Sequence, residues 1–597
     1  MRVRSILTAV AMWSLAGVSA ASAEAIKWQA WTPDLFQRSA AEHKLVILDL
    51  EAVWCHWCHV MDATTYADPL IAKLIGEHFI AVKVDQDANP DLASRYGDWG
   101  WPATILYAED GTEIAKLRGY YAPDQFQSIL SAFIAEPTPG PSAEAAQKVT
   151  PAASMFLNAV QRAGLHQRWL EVYDQTNGGW GEIQKFIHAG SMDYALALAE
   201  TGDAEATRMA RQTLDASLKL IDPVWGGIYQ YSDKPDWSSP HFEKIMPFQA
   251  QVLRQYAHAA RLFGDPAYRR AADDIARYLM TGMRGAEGAF YVSQDADVSA
   301  AVTGHDFYAQ DAAGRAKLGM PRIDTNLYAR ENGLAIGALA AYANATGDQA
   351  ALAAAVKAAQ WVQANRRIEG GGFSHGAADR SGPYLADTLA MGAAMLDLYA
   401  ATGERAWLKA AGEAGDFIES RFHDRAGFAT AETGETTTGA LAAPALQIEE
   451  NIDAARFFNL LARYQGEPRF RAAAGHAMKA LASEQVLGSR RFLAGVLVAD
   501  SELAIEPVHL TIVGHRDDVK AQSLHAAAAA YPALYRRLDW WDTREGPLAN
   551  PDVQYPEMDQ AAAFACSNQI CSRPVFDAAG LEATVKAMMA LRVTARE

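Results

Sequence analysis

Trp54-Cys55-His56-Trp57-Cys58-His59 decides how this chain is read. It follows a short apolar run, Leu45-Val46-Ile47-Leu48-Asp49-Leu50, which has the pattern of a buried strand. A strand ending near Leu50 places Cys55 at the amino end of the helix that follows. Free N–H groups and the helix dipole there favour a thiolate over a thiol. Two residues between the cysteines let the second reach back and resolve a mixed disulfide. Cys55 is therefore the expected nucleophile and Cys58 the resolving thiol. His56, once protonated, would support the thiolate further.

Working outward, Phe79-Ile80-Ala81-Val82-Lys83-Val84-Asp85 reads as a second strand. Thr104 to Tyr107, the turn Glu109-Asp110-Gly111 and Ile114 to Leu117 read as a hairpin, and Pro123 to Ile134 as a helix. Residues 24–135 thus form a βαβ unit, a hairpin and a helix, the plan of a thioredoxin-like α/β domain. Asp49 stands where thioredoxins keep a buried carboxylate that moves protons. Pro102, in Gly100-Trp101-Pro102-Ala103-Thr104, stands where they carry a cis-proline facing the disulfide. Cys55-His56-Trp57-Cys58-His59 also fits the C-x-x-C-H of haem attachment, but its strand–helix–strand setting speaks against haem. Zinc would want a second ligand pair at finger spacing. No metal and no cofactor is expected.

Glu136 to Ser142, with three prolines in five positions, is a linker by composition. Residues 143–597 then read as mostly helical to about residue 490, with Asn332 to Ala345 and Thr388 to Thr402 as clear examples. Between the helices a glycine-plus-aromatic turn returns: Gly178-Gly179-Trp180, Gly226-Gly227-Ile228-Tyr229, Gly288-Ala289-Phe290, Gly371-Gly372-Phe373 and Gly427-Phe428. A spacing of roughly 50–80 residues suggests repeated helical hairpins closed into an all-α (α/α)6 toroid. Val508 to Gly514 looks like a strand and Leu581 to Leu591 like a closing helix, so a small α/β insertion is expected near 505–575. The whole is multidomain, as 597 residues require.

Residues 1–23 read as a signal peptide: Arg2 and Arg4, an apolar core from Ile6 to Val18, and Ala21-Ser22-Ala23 as cleavage site. A retained anchor is the alternative, although the apolar run is short for a span of about 20 residues. The mature protein is expected outside the cytoplasm, periplasmic or extracellular, with no stable membrane insertion. Acidic residues outnumber basic ones 71 to 53, for a formal charge of −18, and no basic cluster tracks phosphates, so nucleic acid is not an expected partner.

Cys55 to Met61, with Val82-Lys83-Val84-Asp85 and Trp101-Pro102, resembles the family named after spermatogenesis-associated protein 20, whose thioredoxin domain is also catalogued as domain of unknown function 255. The resemblance continues through Trp237-Ser238-Ser239-Pro240-His241-Phe242-Glu243-Lys244, Asp295-Ala296-Asp297, Asn332-Gly333-Leu334, and Cys566 and Cys571 with Pro574. It implies a thioredoxin-like domain joined to a toroid of the six-hairpin glycosidase and sugar-epimerase kind. Departures are Gln184-Lys185-Phe186-Ile187, Leu385-Ala386-Asp387-Thr388 and Trp54.

In a toroid mouth, Trp237, His241, Glu243, Asp295, Asp297 and Asn332 are residues that could bind a carbohydrate or move protons, or serve only the fold. Cys566 and Cys571 have three readings: a structural disulfide, a second redox pair, or a metal site. The reading this supports is an exported thiol–disulfide oxidoreductase with a thiol or disulfide protein partner. The alternative is a carbohydrate-active epimerase or hydrolase with an accessory thioredoxin domain.

Overall fold

The computed structural model describes residues 25–143, 149–377, 379, 382–432, 445–567 and 570–594. The expected signal peptide lies outside them. The N-terminal domain runs α1 (Leu35–Glu42), β1 (Leu45–Glu51), α2 (His56–Thr64), α3 (Pro69–His78), β2 (Phe79–Asp85), α4 (Pro90–Tyr96), β3 (Ala103–Tyr107), β4 (Glu113–Arg118) and α5 (Pro123–Ala135). Its sheet order is β2-β1-β3-β4, with β2 parallel and β3 antiparallel to the central β1. Alternation along β1 explains the continuous apolar run. Val46, Leu48 and Leu50 pack with Val82 on one face, while Ile47 packs with Ile71, Ile75 and Phe126 on the other. The linker is not free: Gly140 N–H donates to the Ile114 carbonyl, and Lys116 N–H to Ser142 Oγ.

The helical region contains α6 (Ala159–Glu171), α7 (Ala189–Glu200), α8 (Ala204–Ser217), β5 (Tyr231–Ser232), β6 (Pro240–His241), β7 (Lys244–Ile245), α9 (Met246–Phe263), α10 (Pro266–Thr281) and β8 (Ser293–Gln294). It continues through α11 (Gly304–Tyr308), α12 (Ala312–Leu318), β9 (Ile323–Asp324), α13 (Ala329–Thr346), α14 (Gln349–Asn365), α15 (Leu385–Thr402), α16 (Arg405–Phe422), α17 (Ile448–Gln465), α18 (Pro468–Leu481), α19 (Glu484–Ser489) and α20 (Ala494–Ala504). Helices α7, α9, α13, α15, α17 and α20 each pack on the next, and α20 packs back on α7, so the inner ring is closed. Outside it, α8, α10, α14, α16, α18 and α6 each back one inner helix. This is the (α/α)6 toroid. At the closing seam a Cβ on Gly190 would lie 2.8 Å from Gly495 N, so α7 and α20 meet glycine on glycine.

The recurring glycine–aromatic turns are explained by one repeated clasp. A polar side chain in the first turn of the following inner helix binds the main chain of the turn. Gln249 Nε2 donates to the Ile228 carbonyl, Asn332 holds Phe290 N–H and C=O, Thr388 accepts from Phe373 N–H, and Asn451 holds Phe428 N–H and C=O. A buried backbone left unpaired would cost far more than one side chain spent on it. Asn332 is thus committed to the wall of the toroid.

The chain ends in β10 (Val508–Val513), α21 (Val519–Ala530), β11 (Arg536–Trp541), β12 (Ala562–Ser567), β13 (Ile570–Cys571) and α22 (Ala578–Thr594). Strand order is β11-β10-β12-β13, with β11 parallel and β12 antiparallel to β10. Order and pairing senses repeat those of the N-terminal sheet, and the unit extends past residue 575 to include α22. Cys566 and Cys571 face each other across β12 and β13 and are joined as a disulfide.

The two α/β units cover opposite mouths. The N-terminal domain lies at the start of the inner helices, where Ser94 Oγ donates to Glu450 and Arg490 pairs with Asp98. The C-terminal unit lies at their ends: Tyr399 OH donates to Asp539, Tyr464 OH accepts from Leu538 N–H, and Glu200 accepts from Leu534 N–H. No helix among the described residues is long and apolar enough to cross a membrane.

Candidate redox site

Cys55 is the N-cap of α2, and Cys58 N–H donates to its Sγ at 3.1 Å. Any negative charge on that sulfur therefore sits where the first turn presents its free N–H groups. The two cysteines are joined as a disulfide with a Cα–Cα separation of 5.3 Å. The Trp101–Pro102 peptide beside it is cis.

The toroid covers this site. Cys55 and Cys58, only 3% and 2% exposed, share an apolar cluster with Ala52, Trp54 and Ile245, against which Trp101 and Phe248 pack. Ile245 ends β7 and Phe248 lies in the first turn of α9. Both histidines of the motif are met by toroid carboxylates: His56 Nδ1 lies 2.6 Å from Asp297, and His59 Nδ1 3.6 Å from Asp295. The hydrogen bond to Asp297 raises the pKa of His56, overcoming the opposing effect of burial. Burial acts to raise Asp297, but the bond from His56 holds its carboxyl below the usual range. Asp295, more deeply buried, is pushed up to about 6.

His241 stacks on Tyr231 at 4.2 Å and bonds Asp233 at 2.5 Å, with its Nδ1 3.8 Å from Glu243. Glu243 is buried, and its Oε2 has no hydrogen-bond partner. These four residues, His241, Glu243, Asp295 and Asp297, border the redox motif. Trp237 is placed elsewhere. It is buried at φ 63°, donates Nε1–H to the Asn177 carbonyl and packs on Gly179, where a Cβ would lie 2.8 Å from its ring.

Under α2, Asp49 is buried in β1 opposite Lys83 of β2, whose ammonium it shares with Asp62 of that helix. Lys83 Nζ lies 3.1 Å from Asp49, 3.0 Å from Glu51 and 2.5 Å from Asp62. These three carboxylates have the mutual spacing of a cation site, and the lysine ammonium is the cation among them. Burial pushes the Asp49 carboxyl up to about 7 against the pull of Lys83, and its Oδ1 has no hydrogen-bond partner. Such a group can accept and return a proton near neutrality.

A second contact that sequence reasoning missed braces the motif. His375 donates from Nδ1 to Asp387 at 2.9 Å and from Nε2 to the Asp87 carbonyl at 2.7 Å. Both ring nitrogens donate only in the imidazolium. Burial works against that charge, but Asp387 carries the pKa of His375 up to about 9. The Asp87 carboxylate in turn accepts Trp54 Nε1–H at 2.8 Å. The signal in the sequence was His375 two residues after the Gly371-Gly372-Phe373 turn, a position the repeat puts at the mouth.

Residues 17–135 match the family described as Protein of unknown function, DUF255. Spermatogenesis-associated protein 20 of Homo sapiens is 28% identical over 314 residues, 46% of this chain and 39% of that protein. The matched region thus spans about two-fifths of the length of that relative. A thioredoxin of Alicyclobacillus acidocaldarius is 28% identical over 99 residues, 16% of this chain and 88% of its own. Among solved structures, a sugar epimerase from a ruminal bacterium overlaps 54% of this chain and 86% of its own at 11% identity, with a TM-score of 0.43. The closed helix ring, not that overlap, establishes the toroid.

Proposed function

We propose that the protein is an exported thiol–disulfide oxidoreductase, periplasmic or extracellular, working through Cys55 and Cys58. The observation that carries this reading is Cys55 as N-cap of α2, one turn from Cys58, beside a histidine kept protonatable by Asp297. In the reduced protein the Cys55 thiolate attacks one sulfur of a substrate disulfide. That S–S bond breaks, and the leaving thiolate takes up a proton. Cys58 then gives its proton to Asp49 and attacks Cys55 Sγ, which releases the second substrate thiol. Two electrons pass from the protein dithiol to the substrate, and the reverse sequence oxidises a substrate dithiol. A protonated His56 favours the thiolate and so makes the disulfide the stronger oxidant.

The carbohydrate reading called on six toroid residues. Trp237 and Asn332 serve the fold, Asp295 and Asp297 are engaged by the motif histidines, and that leaves His241 and Glu243.

The test is a single turnover of dithiol-reduced protein with the neutral 2-hydroxyethyl disulfide. Wild type should release two thiols, Cys58→Ala should stop at a mixed disulfide visible by mass, and Cys55→Ser should be slower by about a thousandfold. Equal rates for wild type and Cys55→Ser reject the mechanism.

A further inference from the structure

The face through which a thioredoxin-like domain meets a protein substrate is here occupied by the protein's own toroid. Cys55 and Cys58 are packed on Ile245 and Phe248, and the domain is tied down at His56, His59, Asp87, Ser94 and Asp98. A polypeptide loop has no access to sulfurs held this way.

The interior of the ring is different. Phe248, Gln251 and Arg254 form an i, i+3 row that descends α9 from the disulfide. Glu450, Asp453 and Arg456 form a second row descending α17 from Ser94. Although their helices line a closed ring covered at both mouths, the Arg254 and Arg330 side chains are 46% and 41% exposed, and Asp453 is exposed too. That exposed surface is a lumen. Ion pairs cross it: Arg254 reaches from α9 past α13 to Asp397 on α15, and Arg456 reaches from α17 past α20 to Asp193 on α7. At Gly337 a Cβ would lie 2.8 Å from Asp397 and 3.1 Å from Arg254, so α13 is cut back to let the first pair pass. The aromatic ring of Phe248 also meets Phe186 at 6.2 Å, on a half-buried rim with Phe492 and the exposed Ile183. This rim stands at the α7–α20 sector of the mouth, where Phe186 precedes α7 and Phe492 precedes α20.

We infer that the substrate is a low-molecular-weight zwitterionic disulfide of the amino-acid type, which reaches Cys55 from the toroid lumen instead of docking as a protein. Arg254 and Arg330 take its carboxylates, and Asp453, with Glu449 and Glu450 beside it, takes its ammonium groups. Solvent-exposed positive heads, each sharing its charge with one toroid carboxylate, and the exposed Asp453 on a facing helix suit that pairing and suit neither a purely anionic nor a purely cationic compound. The inference rests on the thiol mechanism above. One zwitterionic disulfide is cleaved to two thiols as Cys55 and Cys58 become a disulfide, and an external dithiol restores them.

The experiment uses full-length, dithiol-reduced protein in single turnover, followed by the fluorescence of Trp54 beside Cys55. Cystine, cystamine, 3,3′-dithiodipropionate, 2-hydroxyethyl disulfide and insulin are compared. Cystine should exceed the neutral and singly signed compounds by about tenfold and insulin by about a hundredfold in apparent second-order rate. Arg254→Met and Asp453→Asn should each weaken the dependence on cystine concentration by about fivefold. Insulin oxidising the protein as fast as cystine, or cystine no better than the neutral compound, overturns the lumen route while leaving the thiol mechanism standing. If 2-hydroxyethyl disulfide is also inert on wild type, it is the thiol mechanism that fails.

Discussion

At the helix start that follows the central strand, the N-terminal unit carries Cys55 and the C-terminal unit carries Asp518, in both cases as N-cap. The two sheets share one strand order, and each unit covers one mouth of the same ring. Each sheet also holds a buried aspartate, Asp49 in β1 and Asp539 in β11, and here the two diverge. Asp49 keeps one oxygen without a hydrogen bond, and burial pushes its carboxyl up to about 7. Asp539 is bonded by His509, Arg537 and Tyr399, which outweigh burial and hold it down at about 2. One carboxyl is left able to exchange a proton; the other is a fixed charge. The topology therefore makes a cover, and an incompletely satisfied acid with a sulfur at the helix start makes it reactive.

That contrast can be attacked at several points. The largest effect should come from sulfur itself: Cys55→Ser loses about a thousandfold in thiol exchange, while the double change Cys566→Ser and Cys571→Ser leaves the rate within about twofold. A large loss in the double variant, measured by stopped flow, would make the second disulfide part of the redox path and erase the distinction.

The aspartates come next. Asp539→Asn should cost about 3 kcal/mol in chemical denaturation, since it breaks a buried and fully bonded charge. Asp49→Asn should slow resolution of the mixed disulfide by about tenfold without loss of stability. The pH signs are opposite. Because Asp49 is raised to about 7, stability falls as pH rises from the ordinary value of 3.8 to about 7, where the cost is complete, and it is recovered as pH falls back through that range. Because Asp539 is lowered to about 2, its contribution is present above the ordinary value of 3.8 and is lost as pH falls through about 2. Denaturation midpoints of the two variants across pH 2–8 check both signs.

Smaller effects sharpen the comparison. Removing the Cys566–Cys571 disulfide, which closes a short loop, should cost about 2 kcal/mol. Asp518→Ala at the N-cap of α21 should cost about 1 kcal/mol. At the reactive mouth, the His56–Asp297 pair contributes fully below the ordinary histidine value of 6.5 and is lost as pH rises through the raised value of His56. Reduction of the Cys55–Cys58 disulfide by an external dithiol should therefore accelerate with pH less steeply in wild type than in Asp297→Asn, since only wild type loses the helpful His56 charge over that range.

Much of this was legible in the sequence because it is local. The strand, the helix start, Asp49 and Pro102 lie close in sequence or pair within one sheet, and the glycine–aromatic turns mark the toroid because each hairpin repeats the same clasp. What lay beyond reach was long-range. His56 meets Asp297 and His375 meets Asp87 across hundreds of residues, and no periodicity encodes a docked face. Trp237 reads as a sugar-stacking aromatic on composition alone, yet a left-handed backbone and contact with Gly179 turn it inward. The C-terminal sheet repeats the topology of the first without its motif, so nothing in its residues announced the likeness.

The glycine seam between Gly190 and Gly495 has a consequence for biogenesis. The ring cannot shut until the last inner helix has been made, whereas β1 to β4 have all their partners near the start of the chain. During that interval the cysteine pair is uncovered and open to whatever oxidant or foldase meets the emerging polypeptide. The disulfide of α2 can thus form on the emerging chain before the ring encloses it.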